Sequence, residues 1–156
     1  MPDIKPIPEG MHSITPHLIV SGAAQAIDFY KNAFGAQEIS RFPAPDGKIM
    51  HAMIKIGDSF IFLADEMREM GGPAAPAPGQ SPVVINLYVE DADATWNRAV
   101  AAGAKPKMPL MDMFWGDRYG QLHDPFGHTW ALATHKEDVT PEEMQRRAQA
   151  MFSKPR

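Results

Sequence analysis

Two stretches of the chain carry the same pattern of apolar and polar positions. In the first, ITPHLIV (Ile14 to Val20) has the composition of a strand and leads into SGAAQAIDFYKNAFGA, where Ala24, Ile27, Phe29, Tyr30 and Phe34 recur at helical spacing. In the second, VVINLYV (Val83 to Val89) leads into EDADATWNRAVAAGA, with Ala92, Trp96, Ala99 and Val100 at that spacing. Gly35 and Gly103 stand where the last turn of each helix needs a left-handed residue. From strand-ending Val to capping Gly is 15 residues in one copy (20 to 35) and 14 in the other (89 to 103). The chain therefore holds an internal repeat.

Three strand-like segments with turn residues between them follow each helix. They are EISRF, KIMHAMIKI and SFIFLA in the first half, and KPKMPLM, DRYGQLH and TWALAT in the second. The predicted fold is α+β, with βαβββ modules over 12–66 and 82–135. Between them Met67 to Ser81, MREMGGPAAPAPGQS, is too rich in Gly, Pro and Ala to form either element and is expected to be a mobile linker. In the tail, 136–156, Thr140, Pro141 and Glu143 make a capping box, and Met144, Ala148, Met151 and Phe152 form one apolar stripe. That predicts an extra C-terminal helix.

Composition narrows the chemistry. A chain of 156 residues fits one compact domain or two halves sharing a core. It has no cysteine, so disulfides, thiolate ligands and thiol nucleophiles are excluded. A net charge of −4 offers no basic stripe for a phosphate backbone, and nucleic acid is not an expected partner. No apolar run approaches the roughly 18 residues of a membrane span, and MPDIKPIPEG lacks a signal-peptide core, so a soluble cytoplasmic protein with no membrane partner is expected. The GxGxxG, GxxxxGK[ST] and GxSxG signatures are missing, which removes the dinucleotide, phosphate-loop and nucleophile-elbow readings.

The run FWGDRYGQLHDPFGHTW (Phe114 to Trp130) is the densest in functional side chains. Asp124, Pro125 and Gly127 occupy the positions a type I turn prefers, so its second half is a hairpin whose turn Asp124 caps. His123 and His128 flank the turn and are expected to be solvated; Trp96 and Trp130 are expected to pack helix against sheet. Trp115, Asp117, Arg118 and Tyr119 have no role in that turn.

Two βαβββ modules, FGA and AxGA helix ends, and a DPxG turn before the last strand resemble the glyoxalase/bleomycin-resistance/dioxygenase group, the vicinal oxygen chelate superfamily. The resemblance spans roughly Ser13 to His135, and the FWGDRYG and DPFGHxW runs with the ATHxEDV tail resemble its PhnB-like branch. It implies two curved mixed sheets around a shared cleft, helices outside, and frequent pairing as a homodimer. It also implies metal-ligand positions at Thr15, Val84, Ala131 and Ile61 or Phe62, none of them a usual ligand. The expectation is a chain without metal or other cofactor that binds or sequesters a small, partly apolar or aromatic molecule, anionic if Arg118 grips it. The alternative is a metal-dependent lyase, isomerase or dioxygenase using a displaced set of His17, His51 and Glu66.

Strand alternation places His17 with Thr15, and Asn86 and Tyr88 with Val84, on the faces turned to that cleft. Ala131 and Ala133 leave room beside them. Trp115, Arg118 and Tyr119 are placed to close it, Arg118 as a fork for a carboxylate or as an ion pair with Asp117 or Asp124. The candidate ligand-binding residues are thus His17, His51, Asn86, Tyr88, Trp115, Arg118 and Tyr119.

Overall fold

The computed structural model describes residues 3–153; residues 1, 2 and 154–156, the last of them the end of the predicted tail, lie outside these. The first module runs β1 (His17–Val20), α1 (Ala23–Phe34), β2 (Gln37–Pro43), β3 (Ile49–Ile56) and β4 (Ser59–Asp65). The second runs β5 (Val84–Tyr88), α2 (Ala92–Ala102), β6 (Lys105–Asp112), β7 (Asp117–His123) and β8 (Thr129–His135), and α3 (Pro141–Phe152) follows. The strand orders, β1-β4-β3-β2 and β5-β8-β7-β6, are the same order twice. In each, the first and last strands pair parallel and the rest antiparallel, with His17 opposite Phe62 and Asn86 opposite Ala131. Register shifts between β2 and β3 and between β6 and β7 bend the sheets, which stay open.

β1 begins three residues later than the apolar pattern predicts. Pro16 has no N–H to give to a ladder, although its carbonyl accepts the Phe62 N–H at 2.9 Å. At the other end of the strand, α1 follows Gly22, which has a φ of 96° and no side chain with which to cap the helix. The cap comes from β4. One oxygen of Asp65 accepts the N–H groups of Gly22 and Ala23, both at 2.8 Å, and the other accepts Ile49 N–H at 2.8 Å. A buried carboxylate there satisfies orphan donors, complements the positive end of the helix and ties α1 to both strands. Helix α2 is capped locally by Asp91, and Thr140 caps α3 as its sequence predicts.

Alternation gives each sheet two unlike faces. Leu18, Val20, Ala52, Ile54 and Leu63 are buried on the helix side of the first, and Leu122, Trp130 and Leu132 on that of the second. His17, His51 and Phe62, and Asn86, Tyr88 and Tyr119, are on the opposite, open faces. The helices lie away from those open faces, yet α1 is no surface helix. It packs against α2, and its Tyr30 and Phe34 rings have centroids 5.4 and 4.6 Å from that of Trp130 in β8. Trp130 therefore seals one module against the other's helix, and a single core runs through both.

Asp124 fastens the same junction. Its carboxylate accepts Phe126 and His128 N–H at 2.8 and 3.0 Å, as a turn cap does, and also the Tyr30 hydroxyl at 2.6 Å and Trp130 Nε1–H at 2.9 Å. His128, expected in solvent, is buried and donates Nε2–H to the Ile19 carbonyl at 2.9 Å, because the turn abuts β1. His123 is half-buried, with Nδ1 3.1 Å from the Thr129 hydroxyl.

The linker is seated. Glu66 accepts Ala75 N–H at 2.9 Å, and Pro76 lies so close over the turn that a Cβ on Gly127 would collide with its carbonyl. Helix α3 is held by Arg147, which pairs with Glu137 and reaches the Phe114 carbonyl, while Met151 and Phe152 stay exposed. No helix among the described residues is long and apolar enough to cross a membrane.

Candidate functional site

The edge strands β1 and β5 run beside each other without pairing, and the linker crosses over the gap. What remains is a groove of about 680 Å³. Residues Pro16 to Ile19 form one wall and Val83 to Asn86 the other, Pro76 and Pro82 belong to the roof, and His128 lies at the turn end. A smaller cavity of about 190 Å³ continues from it, lined by Ile14, Thr15, Phe60 and Leu87. Pro16, Ile85 and Asn86 border both.

His17 is the titratable group of the β1 wall. Its ring meets those of His51 and Phe62 edge to face, with centroids 6.1 and 6.0 Å away, and His51 and Phe62 stand 4.8 Å apart. Partial burial, and then the neighbouring His51, holds its pKa below the ordinary 6.5, so a neutral imidazole faces the groove at pH 7. His51 belongs to this aromatic trio on the open face without lining the groove.

The structure separates the other predicted residues. Tyr88 and Trp115 converge on Asp117, which is 4% exposed. The Tyr88 hydroxyl and Trp115 Nε1–H donate to one oxygen at 2.9 and 3.2 Å, and His135 Nδ1–H donates to the other at 2.7 Å. Tyr119 stacks edge-on with Trp115 at 5.3 Å and accepts a hydrogen bond from the Gln121 amide. Burial pushes the Asp117 pKa up, but the donors from His135, Tyr88 and Trp115 outweigh it and the group stays below its ordinary value. His135 is shifted upward by Asp138 and by Asp117. The sequence offers Asp117 only as an ion-pair partner for Arg118 and does not single out His135, although His135 continues the period-2 row of Ala131 and Ala133.

Arg118 is corrected. β7 turns Tyr119 to the open face and so turns Arg118 to the helix side, opposite Thr134. There its guanidinium grips Asp93 of α2 with two bonds, at 2.7 and 2.9 Å, and Asp112 at 3.3 Å. These bonds hold a helix in place and take up the guanidinium on the side away from the open face; its partners are Asp93 and Asp112, not Asp117 or Asp124.

Nor does the chain assemble the displaced metal set. Glu66 is engaged by Ala75 and Arg68, away from His17 and His51. Among the described residues no three His, Asp or Glu side chains come together as ion ligands would. Of the implied ligand positions, Thr15 and Ile61 line the small cavity and Val84 the groove, while Phe62, the alternative to Ile61, and Ala131 lie on the open faces beside His17 and Asn86. One hydroxyl, an isopropyl, a phenyl and a methyl group do not fit a divalent cation.

Comparison with known proteins agrees with this architecture. An uncharacterised protein of Mycobacterium bovis is 45% identical over 136 residues, 85% of this chain and 90% of its own length. TioX from Micromonospora sp. ML1 superposes with a TM-score of 0.64 at 28% identity, covering 80% of this chain and 98% of its own. A gene product of Arabidopsis thaliana gives the same score and identity over 79% and 98%. The family model for the Glyoxalase/Bleomycin resistance protein/Dioxygenase superfamily matches residues 10–132. The chain belongs to the glyoxalase/bleomycin resistance protein/dioxygenase superfamily.

Proposed function

We propose that this chain binds or sequesters a small, partly apolar or aromatic molecule in the groove between β1 and β5, without a metal ion. The observation that carries this reading is the groove itself. Its volume, about 680 Å³, lies inside the roughly 300–1,000 Å³ of sites for small organic ligands. Ile19, Val83, Val84 and the proline roof supply apolar area, and His17 and Asn86 supply polar tips from the two walls. The side chains at the superfamily's ligand positions support a metal-free mode. A PhnB-like placement within the superfamily rests on the FWGDRYG and DPFGH runs.

Pairing into a homodimer through the open faces accompanies this reading. Ile14, Phe42, Val84 and Tyr88 are 86, 62, 40 and 61% exposed there or beside them, an apolar surface that a second copy would cover. Light scattering after size exclusion tests it, and a monomer at micromolar concentration contradicts it. The binding reading is tested by a fragment screen with methyl NMR detection. Aromatic fragments are expected to shift the Ile19, Val83 and Val84 methyls, and a screen that moves none of them refutes it.

A further inference from the structure

The described residues that line the groove include no Asp, Glu, Lys or Arg. That is unusual in a chain with 15 basic and 19 acidic residues. The one cation the sequence offered, Arg118, is spent on Asp93 and Asp112 behind the sheet. Polar contact comes instead from the Asn86 and Gln80 amides, each both donor and acceptor, the Ser81 hydroxyl and the His17 and His128 rings, the second already donating Nε2–H to the Ile19 carbonyl. Ser81 already shares its hydroxyl with Val83, accepting from its N–H and donating to its carbonyl at 3.4 Å.

We propose that the groove selects molecules without a formal charge: a flat apolar ring system whose hydrogen-bonding groups are neutral and meet the Asn86 and Gln80 amides. The physical reason is desolvation. An ionised ligand entering between β1, β5 and the proline roof gives up water and meets no counter-charge, whereas a neutral ring loses only weakly held water. The flat shape follows from the walls, two facing strands of branched side chains under Pro76 and Pro82. This inference rests on the binding reading above and names its ligand class.

Three probes of one shape and three charges test it: 2-naphthol, 2-naphthoate and 2-naphthylmethylammonium, titrated at pH 7.5 into the intact chain with the Ile and Val methyls observed. The expected result is that 2-naphthol shifts Ile19, Val83 and Val84 and binds at least roughly tenfold more tightly than either ion. In Asn86→Asp the new carboxylate should narrow or reverse the preference for naphthol over the ammonium ion. If either ion binds at the same methyls as tightly as naphthol, selection for neutrality is overturned while the groove stands. If none of the three moves those methyls, the groove reading fails and this inference with it.

Discussion

Replacing Asp124 by Ala tests how the two modules are held together. The carboxylate is 2% exposed and takes two buried side-chain donors, the Tyr30 hydroxyl from α1 and the Trp130 indole from β8. Burial, and then the charge of Asp124, holds the Tyr30 phenol well above its ordinary pKa, so it remains a donor throughout the working pH range. Deleting the acceptor strands both donors where water does not reach. At about 1–3 kcal/mol each the loss is roughly 2–6 kcal/mol, against a total stability of about 5–15 kcal/mol for a domain. Asp124→Asn keeps the turn acceptor but sets an amide N–H against the indole N–H, stranding one donor at about 1–3 kcal/mol. Urea unfolding followed by tryptophan fluorescence reads both variants. Tyr30→Phe in the Asp124→Ala background should then cost little more, since the two groups share one network. A loss below about 1 kcal/mol for Asp124→Ala, at an unchanged denaturant slope, would show that the Tyr30 and Trp130 donors do not depend on this carboxylate.

Other expectations follow from the same geometry. His135 should titrate above 6.5 and His17 below it in a histidine NMR titration, the first raised by Asp138 and Asp117, the second lowered by burial and by His51. The signs on stability are opposite. Protonated His135 stabilises the fold fully below its unfolded pKa, and that contribution disappears as pH rises through its folded midpoint, so the advantage of wild type over His135→Gln should shrink on going alkaline. Protonating His17 on acidification opposes the fold instead. Gly120→Ala places a methyl 2.9 Å from the Trp96 ring and 3.0 Å from the Leu110 nitrogen and Met108 oxygen, and should cost about 1–3 kcal/mol with a changed Trp96 emission. Arg118→Gln should leave affinity for groove ligands unchanged while making α2 amides exchange faster with deuterium; lost affinity would return Arg118 to the site.

The repeat, the hairpin and the capping box were legible because each is a local pattern: apolar spacing, a turn tetrapeptide, a Thr three residues before a Glu. Side-chain parity was legible as well, and it put His17 and Asn86 on open faces. Arg118 shows where local reading failed, since its charge suggested a ligand fork although its neighbour Tyr119 held the open-face position. His128 failed for another reason. Next to a turn it reads as solvated, and only the packing of that turn on β1 buries it. The Asp117 network draws on β5, β7 and β8, and Asp65 caps a helix 42 residues away in sequence, contacts that no spacing rule encodes. The linker's seat on Gly127 is likewise a property of the folded chain.

The proposed binding site is the space between β1 and β5. Methyl and amide shift mapping with 2-naphthol tests it most directly. The largest shifts should fall on Ile19, Val83, Val84 and Asn86, and should saturate with one affinity. Shifts concentrated instead around Tyr88, Trp115 and His135, with the β1 and β5 signals unmoved, would contradict it and place the site at the Asp117 network.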